Sequence, residues 1–199
     1  YSAISLAAAG EYDFEEALQG VHWLHVTGIT PAVSEAAAAA NQTLVELAHA
    51  RGVTVSCDLN FRKKLWNWRP GTKPKDLARE NMTKLLAHVD LVIANEEDAA
   101  DVLGIHATGT NVTQGHIAAD AYEMVARQII AKFPHVKRVA ITLRESISAD
   151  HNNWGAMLFD VATDRAHFAP LDAAGNYQPY EIRNIVDRVG AGDSFGAGL

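Results

Sequence analysis

Four short runs rich in β-branched and apolar residues recur along the chain, each parted from the next by a stretch of helical composition. They are residues 21–29 (VHWLHVTGI), 53–57 (VTVSC), 89–94 (VDLVIA) and 136–143 (VKRVAITL). The spacers are an alanine-rich run over 32–50 closed by Gly52, a helix over 76–87, one from Asn95 to Leu103, and one over 117–132. Strands that alternate with such helices need right-handed crossovers, and these give a mainly parallel sheet with helices on both faces. The remaining segments are expected to fit around this frame. Residues 2–6 read as a short strand, and 14–19 as a helix capped by Asp13. Residues 156–160 and 166–169 read as an antiparallel pair, and 182–189 as the approach to a closing motif that follows a fifth strand. Residues 67–75, with Pro70, Gly71 and Pro74, and the segments 104–114 and 172–181 read as loops.

The closing motif is Gly190-Ala191-Gly192-Asp193, followed by small residues suited to a closely packed helix. Glycines permit unusual backbone angles and close ligand approach. A helix that opens just after them directs free N–H groups at an anion. Asp193 then lies in or just before the first turn, either as an N-cap or as a proton acceptor beside the bound anion. Spacing alone divides these two roles evenly.

In parallel sheets ligands bind at the carboxyl ends of strands. Polar residues collect at those ends: Gly28 and Thr30, then Asp58, Asn60 and Arg62, then Asn95, then Thr142 and Arg144. Arg62 can grip a carboxylate or phosphate through two N–H groups, or form a surface ion pair. Asn95, three residues before Asp98, serves as a helix cap or as a ligand group. Thr142, Arg144 and Glu145 bind polyphosphate or merely end a strand.

Other chemistries find less support. The chain has 199 residues, a net charge of -7 and no basic stripe, which argues against nucleic-acid or membrane-surface binding. Its size fits one sizeable core, hence one domain over 1–199. The lone Cys57 excludes an intrachain disulfide and fits a reducing cytoplasm. No run reaches membrane-spanning length and no basic leader is present. The nine histidines lack zinc-site spacing, with His22 and His25 reading as core or edge residues, and no GxSxG occurs. A bare apolar opening and a stop a few residues into a helix point to a piece of a longer domain.

The terminal Asp187-Arg188-Val189-Gly190-Ala191-Gly192-Asp193-Ser194-Phe195-Gly196-Ala197-Gly198 resembles the D-x-x-G-A-G-D-x-F-x-x-G signature of the PfkB/ribokinase family of sugar kinases. Asp58-Leu59-Asn60-Phe61-Arg62-Lys63-Lys64-Leu65-Trp66 resembles the D-x-N-x-R-x-x-L-W segment of the family's 2-keto-3-deoxygluconate kinases, and Thr27-Gly28-Ile29-Thr30 their turn after a strand. Residues 140–146 are similar to their nucleotide-side strand end. The resemblance implies a ribokinase-like three-layer α/β/α fold, here without the family's N-terminal lid part and C-terminal helices. It implies transfer of the γ-phosphoryl of ATP to 2-keto-3-deoxygluconate, with Mg²⁺ arriving on ATP rather than in a protein cage. Fructokinase, 2-keto-3-deoxygalactonate kinase and non-catalytic binding relatives are the alternatives. By the resemblance, Asp193 is the base and the Gly190, Ala191 and Gly192 backbone cradles the phosphoryl group. Arg62, Tyr1 and Gly28, with Asp193, meet the sugar. Asn60, Arg62, Asn95, Thr142 and Arg144 join the glycine motif on the ATP side. Asp98, where the family's N-x-x-E motif has Glu, reaches the metal through water. The family's Tyr-x-x-Arg has no arginine here, since Tyr1 abuts Ser2. Homo-oligomers would form through the lid.

Overall fold

The computed structural model describes residues 2–106, 119–187 and 189–199. Residues 107–118, which hold most of the Thr/Gly-rich loop and the start of the 117–132 helix read from sequence, lie outside the described residues, as do Tyr1 and Arg188.

The first element is a helix, α1 (Ala3–Leu6), where the sequence reads as a strand. The Ser5 hydroxyl donates to the Ser2 carbonyl at 2.7 Å and accepts the Ser2 N–H at 3.1 Å. Such local serine bonds compete with sheet pairing. After a 3₁₀ turn at Ala9–Glu11 comes α2 (Phe14–Ala17), whose cap is Asp13 as expected, its carboxylate accepting the Glu16 N–H at 2.9 Å. Strand β1 (Trp23–Thr27) ends earlier than the sequence implies, because residues after Gly28 turn into the short helix α3 (Ile29–Ala32). Helix α4 (Glu35–Ala50) starts at a Ser34 cap and stops before Gly52, whose φ of +72° suits glycine. Then follow β2 (Thr54–Asp58), α5 (Pro74–Leu86) with Pro74 in its first turn, and β3 (Leu91–Ala94). Helix α6 (Glu96–Asp98) runs directly into a π-helical turn, Ala99–Leu103. The chain continues through α7 (Ala119–Lys132), β4 (Arg138–Ser146), β5 (Asn152–Asp160), β6 (Arg165–Ala169), β7 (Tyr180–Ile182) and α8 (Ala191–Gly198).

The strands form one sheet in the order β1-β2-β3-β4-β5-β6, with β7 beside β5. The first four are mutually parallel, and β5 and β6 form the expected antiparallel pair. Two sequence expectations are corrected here. Strand β7 takes in Tyr180 and Glu181, the last two residues of the stretch read as loop. The glycine motif, in turn, follows an irregular segment rather than a strand: Val186 and Val189 have no ladder and are almost wholly exposed. The Asp187 carboxylate accepts the Val189 N–H at 2.8 Å and turns the chain into Gly190 instead.

Both faces of the parallel strands are covered. One face, with Val55, Cys57, Val92, Val139 and Ile141, packs on Val45 of α4, Leu85 of α5 and Ile129 of α7. The other, with Leu91, Ile93 and Ala140, meets Phe195 of α8. All four β3 residues are therefore buried, as a doubly covered strand requires.

Gly28 is the tightest point of the frame. Its N–H donates to the Asp58 carbonyl at 2.8 Å, and a Cβ at this position would lie 2.1 Å from the Leu59 carbonyl oxygen. Because that obstacle is backbone, Gly28→Ala is expected to destabilise the chain by about 3 kcal/mol, the upper end of overpacking costs. Urea denaturation checks this; an unchanged midpoint would contradict the close approach.

Candidate active site

The parallel register sets Thr27 and Asp58, the last residues of β1 and β2, beside Ile93 of β3 and Ala140 of β4. Beyond Asp58 the chain makes a turn through Asn60, whose φ of +36° is unfavourable for a side-chain-bearing residue. Several bonds hold it there. The Leu59 N–H reaches the Ile93 carbonyl at 2.9 Å, the Asn60 N–H the Asp58 carboxylate at 3.1 Å, and the Asn60 amide group the Thr27 hydroxyl at 3.3 Å. The Phe61 N–H donates to Oδ1 of Asp98 at 3.1 Å. Asp98 is placed by the start of α6, where the Asn95 side-chain oxygen accepts its N–H at 2.7 Å. Asn95 is thus a cap, as one of its two sequence readings has it.

Across from this turn stands α8. Gly190 is its N-cap, with a φ of +80° and no side-chain bond to the helix. Asp193 is therefore the third residue of the helix and not its N-cap, which decides against the capping reading of the sequence. The first intrahelical bond runs from the Ser194 N–H to the Gly190 carbonyl at 2.8 Å. The N–H groups of Ala191, Gly192 and Asp193 come before it and project from the positive end of the helix dipole.

Between turn and helix lies a cavity of roughly 700 Å³, in the size range of small-molecule sites. Asn60, Arg62, Asn95, Asp98, Thr142, Arg144 and residues 190–193 all line it, so the structure brings together nearly every residue singled out from sequence. Gly28 does not line it, lying beneath the turn instead. Sequence reasoning did not pick out Ile29, Tyr122, Trp154 or Phe195, which also line it. Trp154 arrives because β5 pairs it with Arg144, a register no local pattern announces.

A second cavity, of roughly 450 Å³, adjoins the first and shares Asp58 and Asp193 with it. On its wall the Trp23 indole donates to the Ser56 hydroxyl at 2.9 Å, and His25 Nδ1 lies 2.9 Å from the same oxygen. His25 is thereby an edge-strand residue, one of the two places its sequence reading allowed.

The electrostatics are uneven. Burial pushes the Asp58 carboxyl above the usual carboxylate range, and the nearby Asp193 charge adds to this, while the Asn60 N–H, His25 and Arg62 pull it back. Asp98, only 6% exposed, is pushed up to about 6, mainly by burial. Its pKa is raised on folding, so the folded chain holds that proton more tightly than the unfolded one. Stability from this group is present below the ordinary value of 3.8 and is lost as pH rises through about 6. Asp98→Asn is expected to gain on the order of 2 kcal/mol at pH 7 and nothing at pH 4. Denaturation at the two pH values measures this, and an equal effect at both would contradict it.

Thiol chemistry has no place here. Cys57 is fully buried, and burial with the adjacent Asp58 charge raises its thiol far from the thiolate form. Among the described residues no group of three His, Cys, Asp or Glu side chains is arranged to hold a metal ion, and no helix is long and apolar enough to cross a membrane.

No family model matches the chain. Solved structures do. The 2-dehydro-3-deoxygluconokinase of Thermotoga maritima is 40% identical, with a TM-score of 0.81 over 98% of this chain and 52% of that one. A PfkB family carbohydrate kinase from Listeria grayi is 28% identical, with a TM-score of 0.76 over 98% of this chain and 52% of that one. The chain is thus similar, over nearly all of its length, to sugar kinases of the PfkB family. Among curated proteins, the 2-dehydro-3-deoxygalactonokinase of Haloferax volcanii is 38% identical over 79 residues, 40% of this chain and 23% of that protein. The chain spans about half the length of the solved structures it matches. Its three-layer arrangement, with β1 to β4 parallel, is shared with these neighbours.

Proposed function

We propose that this chain carries the phosphoryl-transfer centre of an ATP-dependent 2-keto-3-deoxygluconate kinase. The observation that supports this most is the pairing of Asp193 and the free N–H groups of α8 with Arg62 across one cavity. Anion-binding N–H groups, a carboxylate and a guanidinium at one cavity are what transfer of a phosphoryl group to an acidic sugar needs. The 40% identity to the Thermotoga maritima kinase supports the substrate class.

ATP supplies the γ-phosphoryl group. The sugar hydroxyl oxygen bonds to the γ-phosphorus as the bond to the β,γ-bridging oxygen breaks, giving ADP and 2-keto-3-deoxy-6-phosphogluconate. The hydroxyl proton passes to the Asp193 carboxylate, late, because the transition state is loose. The N–H groups of Ala191, Gly192 and Asp193 meet the charge on the transferring oxygens at no reorganisation cost. Arg62 holds the sugar carboxylate through its planar fork. Asn60, Asn95, Thr142 and Arg144 face the nucleotide. Mg²⁺ would arrive with ATP, held largely by phosphates and water. We place the protein in the cytoplasm, where its buried free thiol stays reduced.

The similarity to the Haloferax volcanii enzyme favours one second reading, 2-keto-3-deoxygalactonate as acceptor. The test is kcat/KM with ATP and Mg²⁺ on the two sugar acids and on fructose. The gluconate-derived acid is expected to lead. A lead for its epimer moves the assignment to the second reading, and a lead for fructose removes the acid substrate class. Calorimetric binding of the sugar acid without ADP formation would make the chain a binding relative rather than an enzyme.

A further inference from the structure

Asp98 lines the cavity, yet one of its carboxylate oxygens is already engaged by the backbone of the turn after β2. The residue is 6% exposed, and its Oδ1 accepts the Phe61 N–H at 3.1 Å. The bond spans 37 residues of sequence and ties the α6 end of β3 to the turn after β2. That turn needs holding, since Asn60 sits at a φ of +36° and such strain persists only where neighbours over-determine it. The Thr27 contact secures Asn60 from β1 and the Asp58 contact from β2. Asp98 secures the next peptide from the β3 side, one residue before Arg62.

We infer that Asp98 is a positioning residue: its carboxylate oxygen pins the Phe61 amide and so sets where Arg62 meets the substrate. This deepens the kinase reading above and rests on it for what Arg62 does. Asn95 caps α6 through the Asp98 N–H, so the backbone and the side chain of Asp98 are both held. The contact uses an acceptor atom, not a net charge, so an isosteric amide serves in its place. Truncation leaves a half-buried N–H without a partner, a loss on the order of tenfold or more in whatever depends on the turn.

The experiment compares Asp98→Ala and Asp98→Asn in the purified protein by three readouts: hydrogen exchange of the Phe61 amide, KM for the sugar acid, and the Mg²⁺ activation midpoint. The alanine variant is expected to speed Phe61 exchange at least about tenfold and raise the sugar KM by about tenfold, with the Mg²⁺ midpoint unmoved. The asparagine variant is expected to restore both values to within about threefold of the parent. A shifted Mg²⁺ midpoint in both variants, or asparagine as damaging as alanine, overturns the inference, since the charge would then be what matters. Unchanged Phe61 exchange in the alanine variant overturns it as well. The exchange measurement needs no turnover, so an inactive parent protein would refute the kinase reading and still leave the anchor tested.

Discussion

Asp193→Asn is expected to lower turnover by about 10²- to 10⁴-fold, the usual contribution of a positioned proton acceptor. The substitution keeps size and removes the proton-accepting function, so binding of both substrates should change little. Asp193 is the third residue of α8, with Gly190 as the cap. A structural loss from removing a cap is therefore not expected, and thermal stability should stay near the parent value. The pattern to look for is a collapse of kcat with KM values for ATP and sugar within a few-fold. Near-parental turnover would remove Asp193 from the chemistry and leave α8 as an anion site alone.

Arg62→Ala is expected to cut kcat/KM for the sugar acid by about 10- to 100-fold, the loss of a hydrogen-bonded contact to a charged group. Fructose, which has no carboxylate, should lose far less, so the preference between the two narrows. Arg62 is exposed and bonds only its neighbour's Phe61 carbonyl, at a long 3.4 Å, among the contacts described. Little folding stability rides on it, and a substrate effect reads out cleanly. An unchanged preference would place carboxylate recognition elsewhere along the cavity. A matching loss on both sugars would move Arg62 to the phosphoryl group.

These expectations rest on features that differ in how far the sequence alone exposes them. The four parallel strands are legible because each is a short run rich in apolar and β-branched residues, and β3, buried along its whole length, is the extreme case. The ends of those strands collect Asp58, Asn60, Arg62, Asn95, Thr142 and Arg144, and the sheet register brings them to one cavity. Residues 2–6 mislead because their alternation matches a strand while the Ser2–Ser5 bonds close a helical turn. The approach to Gly190 misleads in the same way: Ile185, Val186 and Val189 have strand composition, yet an Asp187 turn directs them. Strand β7 and the arrival of Trp154 depend on tertiary pairing with β5 and carry no local signal. The Asp98–Phe61 bond is illegible for the same reason. Nothing in an Asn95-to-Asp98 spacing tells whether the carboxylate faces solvent, metal or a distant amide.

The kinase reading is tested most directly by following ATP and 2-keto-3-deoxygluconate together, using phosphorus NMR and mass spectrometry of the product. The account predicts one ADP per phosphomonoester formed, with the new phosphate on the sugar's terminal hydroxyl carbon and none released to water. ATP consumed only to inorganic phosphate, or a phosphorylated neutral hexose with the sugar acid untouched, would contradict it.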